Sequence, residues 1–232
     1  SDEFIPMGEI AGVTGDNSGT TVGGVRFNIN DGVSIGAMAL RTSDLFTTAY
    51  SETNYKHTFN ERWGLQLAAQ ATQQWSIGEQ LLGDFKTRAF GFRSALSYQG
   101  AVLKLGYTKN HGDFKVRSPF GGRPSFTIGM LYDFDRAGES AWRVGLSQNF
   151  AAYGLPGFSA IVNYTNGRNA VADNGIELSD ESEIAITADY RPPGNALRGL
   201  WLRIRYADGS RGNPLADRRN LRIILNYSLG AL

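Results

Sequence analysis

The chain has 232 residues, 41% of them hydrophobic and 19% charged, with a formal net charge of +1 and a mean hydropathy of −0.28. A balance this close to neutral gives no basic field for nucleic acid, and no run comes near the ~18 consecutive apolar residues of a membrane helix. Cysteine is absent, which excludes disulfides and thiolate metal sites. Glycine (29 residues) and aromatics (12%) are plentiful, as suits many tight turns and an interfacial aromatic belt. Ser1-Asp2-Glu3-Phe4 has no charged n-region leading into an apolar stretch, so the expectation is that a signal peptide is already removed or was never present.

Residues 1–19 are polar and glycine-rich and read as an outer loop. Period-two alternation, the mark of a strand with two unlike faces, then begins. Val25, Phe27 and Ile29 oppose Gly24, Arg26 and Asn28, ending at the hairpin signal Asn30-Asp31-Gly32. Val33, Ile35, Ala37 and Ala39 oppose Ser34, Gly36 and Met38. The run 47–59 sets Tyr50, Glu52, Asn54 and Lys56 against Tyr55 and Phe59, and Trp63, Leu65, Leu67 and Ala69 then alternate with Gln66, Gln70 and Gln74. Phe90, Phe92, Leu96 and Tyr98 oppose Gly91, Arg93, Ala95 and Ser97; Leu103, Leu105 and Tyr107 oppose Lys104, Gly106 and Thr108. Residues 110–139, with Pro119, Gly121, Gly122 and Pro124, break the pattern and read as one long loop of the kind that usually serves function.

Trp142, Val144 and Leu146 restart the alternation against Arg143 and Ser147. Phe158, Val162 and Tyr164 follow, then Ile184, Ile186 and Tyr190 against Glu183, Thr187 and Asp189. The last two runs set Trp201, Arg203, Arg205 and Ala207 against Leu202, Ile204 and Tyr206, and Asn220, Arg222 and Asn226 against Leu221, Ile223, Leu225, Tyr227 and Leu229.

The count is eleven strands with no convincing helix. Connections alternate between short turns at one end and longer loops at the other, apart from a short one near Asp44. Trp63, Tyr98, Phe150, Phe158, Tyr190 and Tyr227 all sit beside the short turns. Short periplasmic turns, longer outer loops and an aromatic girdle are the pattern of an outer-membrane barrel, so the fold class is all-β, a transmembrane antiparallel up-and-down β-barrel. An odd count does not close an antiparallel barrel with both ends periplasmic. Either N-terminal strands lie outside this sequence, the favoured reading, or residues 4–14 act as a weak twelfth strand.

The stretches SIGEQLLGDF, ALSYQGAVLKLGYTK, VRSPFGGRPSF, DFDRAGESAWRVGLSQNF, GLPGFSAIVNYTNG and LRIRYADGS resemble the OprD family of outer-membrane substrate-specific porins, in the order and spacing of its C-terminal part. The segments around DRAGE and GLPG carry most of the likeness. The resemblance implies a monomeric barrel of about eighteen strands with a channel, set among outer-membrane lipid and lipopolysaccharide. It implies passive uptake of small carboxylate solutes, such as amino acids or aromatic acids, without cofactor or energy source. It further implies a basic ladder on one wall facing a constriction loop. Carried over, the ladder is Arg203, Arg205 and Arg222, with Arg219 near the outer mouth, and Arg93 and Lys104 as extensions; Arg26 and Arg143 also point inward. The alternation by itself already put Arg203, Arg205 and Arg222 on one face. Within the constriction loop 110–139, Asp133 matches the acidic position facing the ladder, Ser125 and Tyr132 are hydrogen-bonding candidates, and Arg123 adds a positive charge. The competing role for these cations is bracing against Glu52, Glu183 or Asp189, and for Asp133, with Asp135 and Arg136, pinning the loop.

Other classes find less in the sequence. A barrel enzyme needs an activated nucleophile, and His57 and His111 are the only histidines, one beside a short turn and one assigned to the long loop. A structural barrel without selectivity is the remaining alternative. A divalent ion at Asp173, Glu177 or Asp180 has no supporting ligand spacing.

Overall fold

The computed structural model describes residues 7–15, 18–112, 114–118, 124–172, 175–194, 197, 199–212 and 216–228. Arg123, Asp173 and Leu229, named above, lie outside them. Eleven strands follow in chain order: β1 (Thr20–Asn30), β2 (Val33–Thr42), β3 (Phe46–Thr58), β4 (Trp63–Ser76), β5 (Lys86–Tyr98), β6 (Ala101–His111), β7 (Ser140–Asn149), β8 (Phe158–Arg168), β9 (Glu181–Tyr190), β10 (Leu200–Ser210) and β11 (Arg218–Tyr227). All pair antiparallel with their sequence neighbours in one sheet, ordered β1 to β11.

Burial follows the sequence alternation with its usual sense inverted. On β5 and β9 exposed and buried residues nearly alternate, and the exposed phase is the apolar one: Phe90, Phe92 and Leu96 on β5, Ile184 and Ile186 on β9. The covered phase of β9 carries Glu183, Thr187 and Asp189 instead. Apolar outside and polar inside is the arrangement lipid demands. With 13 residues, β5 rises about 33 Å along the membrane normal at a tilt of ~40°, more than the ~25 Å apolar band needs. The true apolar clusters are small and lie under the outer loops: Leu45, Phe46 and Phe85 in one, Tyr132, Phe134 and Ala141 in the other.

The turn 99–100 shows how the short end is made. Gln99 and Gly100 both take positive φ (44° and 86°), as a two-residue hairpin matched to strand twist requires. Beside the short turns Trp63 meets Tyr98 at 4.4 Å and Phe150 meets Phe158 at 5.3 Å. A second girdle that the sequence reading missed stands at the other end, where Trp142 packs on Tyr164 at 5.3 Å and pairs in register with Tyr107.

Four expectations are corrected. Met7–Ala11 forms a short helix, α1, so the described part of 4–14 is not a strand, and residues 4–6 lie outside the described residues; Ala11 and Val13 cap the cluster around Leu45. The alternation of connection length is uneven: 31–32, 59–62, 99–100, 150–157 and 191–199 share one end, against 43–45, 77–85, 112–139, 169–180 and 211–217 at the other. The turn 150–157 also contains a 3-10 turn, Ala151–Tyr153. The long loop is two residues shorter at its start, because β6 continues through His111. Among the described residues β1 pairs only with β2 and β11 only with β10, and eleven antiparallel strands leave those two edges running the same way.

Candidate functional site

The inner face is built by alternation, and one row of it explains the long loop. Following the registers across the sheet, Arg93, Gly106, Arg143, Thr165, Glu183, Gly209 and Arg218 stand side by side from β5 to β11, all on the inner phase. The loop 112–139 lies along this row. Phe126 stacks on the Arg93 guanidinium at 4.9 Å. Arg143 Nη1 donates to the Ile128 carbonyl. Glu183, 2% exposed, accepts the backbone N–H groups of Met130, Leu131 and Tyr132 at 2.5, 2.7 and 3.1 Å. Tyr132 then lies on β10, its hydroxyl 3.1 Å from the Gly209 carbonyl and 3.0 Å from that of Ala216, with the Arg211 guanidinium over its ring at 4.3 Å. Burial above all holds the Tyr132 phenol above the ordinary tyrosine range, so it stays a donor.

Nearer its start the same loop is clamped to β4. Gln74 Nε2 donates to the Arg117 carbonyl and Gln74 Oε1 accepts the Arg117 N–H, both at 2.9 Å. The return to β7 is fixed by two buried carboxylates. Glu139 accepts from Arg136 Nη2 at 2.7 Å, and Glu181 accepts from Arg211 Nε at 2.8 Å with Arg136 Nε 3.5 Å away. Arg136 Nη1 also reaches the Ser179 carbonyl, so the loops 112–139, 169–180 and 211–217 share one ionic knot at the outer mouth.

The sequence signal for this seat was present and went unread: glycines on the inward phase of regular strands, which mark a close approach of another backbone. A Cβ at Gly106 would stand 3.1 Å from the Phe126 carbonyl oxygen, and one at Gly209 would stand 2.5 Å from the Tyr132 ring. On the loop itself, a Cβ at Gly129 would run into the Glu183 carboxylate.

The predicted residues divide into distinct groups against this frame. Arg205 and Arg222 stand opposite each other on β10 and β11, four residues from the Gly209 row toward the short-turn end. Neither has a carboxylate partner among the described residues, and Arg205 Nε is buried without any acceptor. Arg222 Nε donates to Asn220 Oδ1 at 2.8 Å. Lys104 and Arg93 lie diagonally on β6 and β5, also without an acid partner among the described residues; Lys104 is exposed on the inward phase.

Arg203 is different, because it forms a bidentate pair with Asp189 at 2.7 and 3.0 Å, and Trp201 Nε1 donates to the same carboxylate at 2.7 Å. Arg26 is likewise paired, with Glu52, which Tyr50 also hydrogen-bonds at 2.9 Å.

Three predicted site residues need correction. Arg219 shares its phase with Leu221 and Ile223, so it faces outward, where it pairs with Asp208 at 2.8 Å. Tyr132 is 2% exposed and serves as a loop anchor. Ser125 is tied to the hydroxyls of Thr108 and Thr127 at 3.3 and 3.1 Å, which fastens the loop to β6. Asp133 is half-buried and already partnered. Glu177 is exposed and Asp180 stands 3.7 Å from Arg168.

A lipid-facing sheet with an inward-folded loop is met by a match of sequence. Residues 6–231 match the family described as outer membrane porin, OprD family. The chain belongs to the OprD family. Its place is therefore the bacterial outer membrane. A curated relative, Porin D of Pseudomonas aeruginosa, is 25% identical over 235 residues, covering 90% of this chain and 53% of Porin D. Among solved structures, OpdG of Pseudomonas aeruginosa superposes with a TM-score of 0.86 at 24% identity, over 93% of this chain and 56% of OpdG. OpdK of the same organism, crystallised with vanillate, gives 0.83 at 21%, over 90% of this chain and 56% of OpdK. The chain thus spans about half the length of the curated relative it matches.

Proposed function

We propose that this OprD-family chain forms one wall of a passive outer-membrane channel that favours small carboxylate solutes. The observation that carries the reading is Arg205 with Arg222: two guanidinium groups on the inner face, without acids to neutralise them among the described residues. A guanidinium grips a carboxylate through a planar fork, and passage needs several modest sites in place of one deep one. Arg93 and Lys104, likewise without acid partners among the described residues, offer further steps on β5 and β6. Arg203 braces the wall through Asp189, and Tyr132 and Ser125 hold the loop. Vanillate, held by OpdK, is itself a carboxylate. A recess of about 300 Å³ between the loop and β2–β4, lined by Met38, Leu40, Phe46, Tyr50, Val116 and Pro124, has the chemistry to take an aromatic ring.

The two edges left without a further strand among the described residues belong to the same reading. Since β1 and β11 run the same way, antiparallel closure takes an odd number of further strands, consistent with a single-copy barrel of about eighteen. Catalysis finds no support in the histidines. His57 lies on the lipid-facing phase of β3 between Tyr55 and Phe59, and His111 lies against Phe90 on that of β6.

The test is a liposome-swelling series with the full-length protein across amino acids, aromatic acids and neutral sugars of matched size. Carboxylates are expected to enter faster, with the advantage reduced in Arg205→Gln. Equal rates for charged and neutral solutes would end the carboxylate reading.

A further inference from the structure

Charge on the lipid-facing phase is confined to one end of the wall. Near the short turns that phase carries Tyr98, Phe158, Tyr190 and Tyr227, with no Lys, Arg, Asp or Glu on any strand. At the long-loop end it carries Arg41, Lys86, Arg88, Lys109, Arg168, Asp208 and Arg219. Arg168 and Arg219 have acid partners, Asp180 and Asp208. Lys86 and Arg88 have none among the described residues.

These two cations are also clustered. Both lie on the outward phase of β5 and both are exposed. Arg88 is directly opposite His111 on β6, and Lys109 is opposite Phe90, one step lower on the same face. Opposed side chains start about 5 Å apart and same-face neighbours on a strand about 7 Å apart, so the four groups share one patch. Lys109 Nζ donates to the Gly138 carbonyl at 2.8 Å, which holds it against the rim while leaving it half-buried. Of the two acids in the adjoining loop 77–85, Asp84 accepts from Ser76 Oγ on the inner phase at 2.9 Å, and Glu79 is exposed and makes no ion pair with a described residue.

Height fixes what the patch meets. Arg88 is ten residues above the girdle residue Tyr98, about 25 Å along the membrane normal, which is the height of the apolar band. Phe90, Phe92, Leu105 and Tyr107 lie immediately below, exposed to lipid. A cation cluster at headgroup level, without an acid partner among the described residues and seated over exposed aromatics, matches an anionic headgroup whose acyl chains run down that face.

We propose that Lys86, Arg88, Lys109 and His111 form a seat for the phosphate groups of an acylated glycolipid of the outer leaflet. The seat rests on the outer phase being lipid-facing and is independent of what passes through the lumen.

The experiment measures binding of bisphosphorylated lipid A and of its dephosphorylated form to the full-length protein in detergent, by native mass spectrometry, with inorganic phosphate as competitor. The expected result is at least a tenfold preference for the phosphorylated lipid, lost in K86Q/R88Q, kept in the charge-preserving swap K86R/R88K, and unmoved by millimolar inorganic phosphate. Equal binding of the two lipids, an undiminished preference in K86Q/R88Q, or displacement by inorganic phosphate would each overturn the proposal. Loss of the preference in K86R/R88K as well as in K86Q/R88Q would also overturn it, since the seat would then not be a matter of charge. Single-channel conductance is expected to be unchanged in both variants, which separates this outcome from failure of the carboxylate reading.

Discussion

Arg205 and Arg222 face each other across the β10–β11 ladder, both on the inner phase, and neither is neutralised by an acid among the described residues. Like charges directly opposite on a sheet destabilise it by a few tenths to about 1 kcal/mol. Arg203, two residues away on the same strand, has its charge answered by Asp189 through two hydrogen bonds. The contrast predicts opposite phenotypes. Arg205→Gln lowers anion selectivity in planar bilayers and leaves thermal stability unchanged or slightly raised. Arg203→Gln costs about 1–3 kcal/mol, because it removes two charge-assisted donors from a buried carboxylate that keeps only the Trp201 N–H, and moves selectivity less. Equal selectivity losses in the two variants would remove the distinction between solute-facing and bracing arginines.

The Glu183 carboxylate organises the loop tip by accepting three consecutive N–H groups, those of Met130, Leu131 and Tyr132. Glu183→Ala leaves those donors buried and unmet, at about 1–3 kcal/mol each if none finds water. Higher and noisier single-channel conductance is expected, as the loop leaves the wall. Gly129→Ala displaces the same carboxylate by steric contact, so it should reproduce the phenotype. The double variant should be little worse than either single one, because the two act on one interaction. Additive effects would show that the loop is held elsewhere.

Tyr132 and Gly209 form a complementary pair, ring against bare backbone. Gly209→Ala is expected to lower the unfolding temperature in detergent and raise conductance, because its methyl group meets the ring. In a Tyr132→Ala background the same substitution should be nearly neutral. Failure of that rescue would place the cost of Gly209→Ala in the strand.

The fold was legible because lipid on one side and water on the other impose a strict period of two, and residues such as Phe90, Arg93 and Leu96 state their faces in the sequence. Arg219 was misplaced because it sits at the mouth, where the lipid phase becomes polar and charge no longer marks the inner face. Tyr132 and Ser125 were read as solute contacts because loop residues carry no periodicity to show whether they point into the lumen or onto the wall. The glycines at 106 and 209 held that information in register with the loop, and only the pairing of strands reveals the register. The partner of Arg203 was visible as a candidate acid on the next strand, yet choosing Asp189 over a solute required the bidentate geometry.

The last prediction concerns the opposite wall. Arg26 on β1 reaches over β2 to Glu52 on β3, and Gly36 lies beneath, where a Cβ would stand 3.1 Å from Glu52 Cγ. The pair contributes no net charge to the lumen, and its arginine is well exposed, with 62% of the side chain accessible against 22% for the glutamate. Removing either partner therefore changes the local field by one unit in opposite directions. Glu52→Gln leaves Arg26 unopposed and should shift the reversal potential in a salt gradient toward anion selectivity. Arg26→Gln leaves Glu52 unopposed and should shift it toward cations. Because an exposed pair contributes little to stability, both variants should fold and conduct. Screening limits the reach of an exposed charge to about 10 Å at 0.1 M salt, so both shifts should shrink as the salt concentration is raised. Shifts of the same sign in the two variants would mean that the substitutions act through the loop or the wall's shape and not through charge.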